Sequence, residues 1–227
     1  MQASDLRGTE ILDIDPNYGF PLFNSFRLAI FGLPFLEVLM SDLKEALGGA
    51  HASRILSRLG YRSGVVVATA LRNLYNWTSD EELLRAGAFM KAKTGLAAEE
   101  ITHLYLPNEK AQFSIKGKWI HSIEAQIYQQ VADVSLNHGV CNILAGQASG
   151  FASAVLGVDV LVREITCIGK GDKECTFEGR PLNDWHLSEN ELQIFSALPS
   201  LPEEIAKLED ELSITYNRLL KTRQFVN

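Results

Sequence analysis

A chain of 227 residues, 46% of them hydrophobic, is long enough for one full core and an appendage. A formal net charge of −7 speaks against direct contact with nucleic acid and against an anionic membrane surface. The start, Met1-Gln2-Ala3-Ser4-Asp5, has neither a basic nor an apolar leader pattern, and no long uncharged apolar run follows, so the expectation is a cytoplasmic protein without membrane contact.

Asp15-Pro16-Asn17-Tyr18-Gly19 is a turn signal that predicts a β-hairpin with arms Glu10–Ile14 and Arg27–Phe31, whose apolar edge seeks a partner. Phe35, Val38, Leu39, Leu43 and Leu47 stand at helical spacing over residues 34–47, and Gly48-Gly49 is the stop. Residues 50–70 read as one or two further helices. Ser79-Asp80-Glu81-Glu82 opens another, with Ser79 or Asp80 as cap and carboxylates in its first turn.

From Ala98 the period shortens. Glu99–Leu106, Ala111–Ile115 and Trp119–Ile123 read as antiparallel strands broken at Pro107-Asn108 and Lys116-Gly117. Residues 125–137 and 142–156 read as helices, the second rich in Ala, Ser and Gly. Val158–Ile168 and Glu174–Gly179 read as a strand pair around a glycine loop. Pro199 and Pro202 punctuate a linker, after which Ile205, Leu208, Leu212, Thr215 and Leu219 follow 3–4 spacing. Two readings stand for this helix: a dimer stalk or signalling helix, and a helix folded back on the domain.

The chain's three cysteines fall near one loop. Cys167 and Cys175 flank Gly169-Lys170-Gly171-Asp172, Glu164 precedes Cys167 by three residues, and Cys141 lies upstream. Three sulfurs and one carboxylate make the four donors of a closed tetrahedral zinc site, which is structural because no position is left for water. An odd cysteine count in a reducing compartment points the same way or to free thiols. The alternative is three small buried hydrophobes.

The run Gly146-Gln-Ala-Ser-Gly150-Phe151 through Gly157, then Val162-Arg-Glu164-Ile-Thr-Cys167 and Cys175-Thr-Phe-Glu-Gly179-Arg-Pro181-Leu-Asn-Asp-Trp185, resembles the 4-vinyl reductase domain. Leu59-Gly60-Tyr61-Arg-Ser63-Gly64 and Ala86-Gly87 resemble the activator-of-aromatic-catabolism segment. Together they are similar to the N-terminal sensor of bacterial enhancer-binding regulators that respond to phenol, toluene or biphenyl compounds. The resemblance implies a zinc ion on Cys141, Glu164, Cys167 and Cys175. It also implies an effector pocket in which a tryptophan and a histidine hold a phenol hydroxyl. Trp119 matches the tryptophan, whereas Lys91 stands at the histidine, Gln147 and Val162 replace family aromatics, and Phe151 keeps its ring. Leu84 and Phe113 complete the expected lining.

A buried lysine must be paired or neutral. Lys91 therefore meets an anionic group on the effector, pairs with Glu99, Glu100 or Glu124, or snorkels to solvent. Trp119 is a pocket residue or plain core.

The fold expectation is α+β: an N-terminal β-hairpin and helix for dimerisation over 1–48, a mixed antiparallel-sheet-and-helix sensing domain with the zinc loop over 49–185, and a linker with a coiled-coil-like signalling helix over 186–227. The function expected is a non-enzymatic, homodimeric sensor of a small apolar or aromatic effector that controls a transcription-activating ATPase domain. Two alternatives are a free-standing 4-vinyl reductase-like protein that handles a tetrapyrrole or other hydrophobic ligand, and a zinc-braced dimerisation scaffold.

Overall fold

The computed structural model describes residues 1–7, 13–15, 20–23, 26–27, 29–107, 112–131, 139–187, 189–192, 206, 210 and 212–216. They divide into two units, residues 1–194 and 195–227. In the second, the described residues are helical and exposed, among them Leu212 and Thr215; Ile205, Leu208 and Leu219 of the expected stripe lie outside the described residues.

The first unit is α+β. Its N-terminal sheet joins β1 (Asp13–Asp15), β2 (Phe20–Phe23) and β3 (Phe26–Arg27) in antiparallel order, with Asp15 opposite Phe20. The expected second arm, Arg27–Phe31, is thus replaced by Phe20–Phe23, the apolar run that directly follows the turn. Closing the shorter loop costs less chain entropy.

Helix α1 (Leu33–Leu47) starts with Pro34, whose missing N–H costs nothing in a first turn, and ends at Gly48 with φ 76°. Residues 50–70 belong to one continuous helix, α2 (Gly49–Leu74). Helix α3 (Asp80–Lys93) is capped by Ser79, whose hydroxyl accepts the Glu82 N–H at 3.2 Å, with three acidic residues in its first turn.

Four antiparallel strands, β4 (Ala98–Tyr105), β5 (Ser114–Ile120), β7 (Cys175–Pro181) and β6 (Val160–Thr166), lie side by side in that order. Helix α4 (Ile123–Val131) follows β5, and α5 (Asn142–Leu156) precedes β6. The expected break at Lys116-Gly117 does not occur, because β5 runs straight through it. A Cβ at Gly117 would collide with the Glu100 carbonyl and the Phe177 ring, so the glycine makes room for a neighbour and does not turn the chain. Likewise, Ile123 starts α4, where the sequence pattern placed a strand end. Residues 108–111 and 132–138 of the expected strand and helix lie outside the described residues.

Ile115, Gly117 and Trp119 are buried while Lys116 and Ile120 are exposed, so one sheet face meets the core and the other water. On the wet face Lys118 pairs with Glu174 at 2.7 Å and Lys116 with Glu178 at 3.2 Å. On the dry face α3 and α5 close the core around Leu83, Leu144, Phe113 and Val155.

Helix α5 touches α2 backbone to backbone. A Cβ on Gly60 or Gly64 would overlap the carbonyls of Ile143 or Gln147, and one on Gly146 or Gly150 those of Ser57 or Tyr61. It also grips the outer strand β6: the Ser149 hydroxyl accepts the Val162 N–H at 2.8 Å, and the Ser153 hydroxyl accepts the Val160 N–H at 2.9 Å. Edge N–H groups that would otherwise template aggregation are thereby satisfied. Among the described residues no helix is long and apolar enough to cross a membrane.

Candidate functional site

Strand register brings two buried polar clusters together. Glu99 on β4 lies opposite Trp119 on β5, and Trp119 lies opposite Cys175 on β7. Directly opposed residues project to the same face of a sheet. One row across three strands therefore joins a cluster around Glu99 to the cysteine cluster.

The cysteine cluster collects the first-turn cap of α5 (Cys141), the end of β6 and its exit (Glu164, Cys167) and the start of β7 (Cys175). All four donor atoms lie within 4.8 Å of one another. Cys141 Sγ is 3.9 Å from Cys175 Sγ, which is 4.0 Å from Cys167 Sγ. A tetrahedral ion bound to sulfur at about 2.3 Å sets its sulfurs about 3.8 Å apart.

The surroundings hold these donors in place. The Ile168 N–H points at Cys175 Sγ (3.3 Å), and the Asp172 carboxylate accepts the Cys167 N–H at 2.7 Å while pairing with Lys170. Glu164 Oε2 accepts the Cys141 N–H at 3.0 Å, against Gly139, where a Cβ would collide with this carboxylate. Glu164 Oε1 is buried with no hydrogen-bond partner. Burial raises the Glu164 carboxyl to about 7. Hydrogen bonds from Cys141 and then Cys175 hold the Cys167 thiol far below its ordinary range, and hydrogen bonding to Cys167 and then Cys175 pushes Cys141 up. Protons thus stand where a cation would, and the orphaned Oε1 belongs to the same donor group. The residues fit a metal ion.

The sequence reading missed Glu124 as part of this region. It is 1% exposed, and its carboxylate accepts the N–H groups of Ile143 at 2.9 Å and Leu144 at 3.0 Å, capping α5 from another helix. Burial raises it to about 8 against these hydrogen bonds. A lone glutamate in a helical pattern carries no sequence signal for such a role.

The second cluster resolves the three readings of Lys91. The turn after α3, with Gly95 at φ 77°, folds β4 back beside the helix end. Lys91 Nζ then meets Glu99 Oε2 at 2.8 Å, both side chains being at most 5% exposed. The lysine pairs with Glu99, not with Glu100 or Glu124, and does not snorkel. Trp119 Nε1 donates to the same Glu99 oxygen at 2.9 Å, and its ring stacks on Phe177 with centroids 4.8 Å apart.

Of the expected pocket residues, Leu84, Lys91, Phe151 and Val162 line one cavity, together with Glu99, Ile115, Ala148, Ala152 and Phe177. Trp119, Phe113 and Gln147 are buried outside that lining, and Gln147 Oε1 has no hydrogen-bond partner. The cavity measures about 20 Å³, room for a single water. A wider open groove of about 600 Å³ lies between Tyr61, Asp159 and Leu182, away from both clusters. Its walls bring together neither a metal-ligand group nor a buried ion pair, so chemistry favours the smaller site.

Residues 5–106 match the family model described as activator of aromatic catabolism, and residues 124–181 match that of the 4-vinyl reductase domain. The phenol regulator MopR of Acinetobacter guillouiae is 29% identical over 199 residues, 88% of this chain and 35% of that protein. The transcriptional regulatory protein XylR of Pseudomonas putida is 28% identical over 159 residues, 70% of this chain and 28% of that protein. The chain thus spans about a third of the length of these relatives. Among solved structures, the phenol-responsive sensory domain of the transcription activator PoxR, with phenol, has a TM-score of 0.76 at 25% identity, covering 86% of this chain and 96% of that one. The resemblance read from the motifs is borne out: this chain is homologous to these regulators.

Proposed function

We propose that this relative of aromatic-responsive regulators is an effector-binding sensor domain without chemistry of its own. It takes a small apolar or aromatic molecule between α3, α5 and the sheet, and it controls a transcription-activating ATPase domain. The observation that carries this reading is the match of nearly the whole fold to a phenol-responsive sensory domain. The cavity at Leu84, Phe151 and Val162 supports it. Lys91, Trp119, Phe113 and Gln147 belong to the same region as lining or supporting side chains.

Zinc is the metal that three thiolates and a carboxylate select, and a full tetrahedral shell makes it a brace between α5, β6 and β7. Homodimerisation through the N-terminal segment, residues 1–48, is supported by the exposed Ile30, Phe31, Phe35 and Val38, with the Phe31 and Phe35 rings stacked. Residues 49–185 form the sensing domain, and 186–227 carry the signal onward. The negative charge and the lack of a membrane-crossing helix among the described residues support a cytoplasmic protein that does not itself grip nucleic acid.

An effector acts by preferring one arrangement of the domain over another. A cavity of about 20 Å³ must enlarge to admit a six-carbon ring, so binding and rearrangement are one event here. The same small volume favours a second reading, a zinc-braced dimerisation scaffold with no effector.

Thermal melts of the zinc-loaded chain separate the two. Toluene, phenol and benzoate are added in turn. Saturable stabilisation by at least one of them is expected, about 2.7 kcal/mol at a hundred times the Kd. No shift with any of them leaves the scaffold.

A further inference from the structure

Resting on the sensor reading, we infer that the effector is an uncharged aromatic hydrocarbon, and that Glu99, held by Lys91 and Trp119, sets this specificity by excluding phenols and aromatic acids. The cavity wall is apolar at Leu84, Ile115, Phe151, Val162 and Phe177. Among the described residues, its only polar lining side chains are Lys91 and Glu99. Both are already matched: one Glu99 oxygen accepts from Lys91 Nζ at 2.8 Å and from Trp119 Nε1 at 2.9 Å. The indole has a single proton, and it is spent on Glu99.

Glu99 therefore stands against Trp119 where a ligand hydroxyl would otherwise sit. Strand register puts it there, since the two residues are directly opposed on β4 and β5.

Three ligand classes meet this site differently. An aromatic acid brings a second carboxylate to a lysine whose charge is already balanced, and it must leave water to do so. A phenol gives up its water and gains only a share in a closed pair. The two protons left on Lys91 do not reverse this, because an oxygen that takes one must also place its own proton, and Glu99 is the one acceptor among the described lining side chains. A poorly matched buried hydroxyl costs about five- to 150-fold in affinity. A hydrocarbon asks for no partner and leaves the pair intact.

The test is calorimetric titration of the zinc-loaded 227-residue chain with toluene, phenol and benzoate. Toluene is expected to bind at least tenfold more tightly than phenol, and benzoate to give no heat. Phenol or benzoate binding as tightly as toluene overturns this inference and leaves the sensor reading standing. No heat from any of the three overturns both.

A double variant, Lys91→Met with Glu99→Leu, removes both charges and releases the Trp119 N–H. It should shift the phenol-to-toluene affinity ratio at least tenfold toward phenol. An unchanged ratio in a folded variant shows that the pair is not the discriminator. If the variant does not fold, the titration of the native chain decides.

Discussion

The two buried polar clusters sit on one row of the sheet and differ in one respect: the cysteine cluster is incomplete and the Lys91–Glu99–Trp119 cluster is complete. The first leaves Glu164 Oε1 without a partner and crowds three sulfurs around a point none of them fills. The second joins one ammonium, one indole N–H and one carboxylate, each the partner of another. Buried polar groups reveal what a site wants by what they lack. The first asks for a cation. The second asks for nothing, so a ligand beside it must do without polar help.

The largest effect should come from the incomplete cluster. Structural zinc contributes on the order of 10 kcal/mol, comparable to the whole stability of a domain. Cys167→Ser is expected to lose stoichiometric zinc and the cooperative melt, checked by metal analysis and circular dichroism. An unchanged melt after chelation would mean that the cluster is complete without metal.

Next is the complete cluster. Glu99→Leu alone strands a buried ammonium and should cost about 3–5 kcal/mol in urea denaturation, whereas adding Lys91→Met should recover most of the loss. If the single variant is as stable as the native chain, Lys91 has another way to be satisfied and the contrast collapses.

A smaller effect concerns Glu124, beside the metal cluster. Its folded value of about 8 lies above the ordinary 4.5, so the folded state keeps the proton longer. The stability it contributes is full below about 4.5 and is lost as pH rises to about 8. In the zinc-loaded chain, where Glu164 is held as a ligand, the loss over this window should be on the order of 2 kcal/mol. Glu124→Gln should flatten the pH profile; a profile that keeps its slope places the titration elsewhere.

Smallest is Ser79→Ala, which removes the α3 cap and touches neither cluster. It should cost about 1 kcal/mol without changing zinc content, which calibrates the other variants.

The parts of the fold written in local chemistry were legible in the sequence. The Ser79 cap, the 142–156 helix, the alternation in β5 and β7 and the four metal donors all follow from spacing and residue type. What escaped depends on neighbours distant in sequence. Gly117 reads as a breaker until Phe177 is seen to need its space, and Glu124 reads as an exposed helix residue until α5 arrives above it. The choice of Glu99 over Glu100 for Lys91 turns on strand parity: one residue further along β4, the carboxylate would leave the core face.

Helix α5 behaves mechanically as a beam about 22 Å long. One end is clamped at Cys141 to the metal cluster, the far half is pinned to β6 through Ser149 and Ser153, and its flank is wedged against the α2 backbone at four glycines. Ala148, Phe151 and Ala152 form the cavity wall on this beam. A beam held at both ends and along one side has little room to bow. The wall that yields to an incoming ring is therefore the opposite one, where α3 brings Leu84 and Lys91, and the stroke of the sensor begins in the turn between α3 and β4.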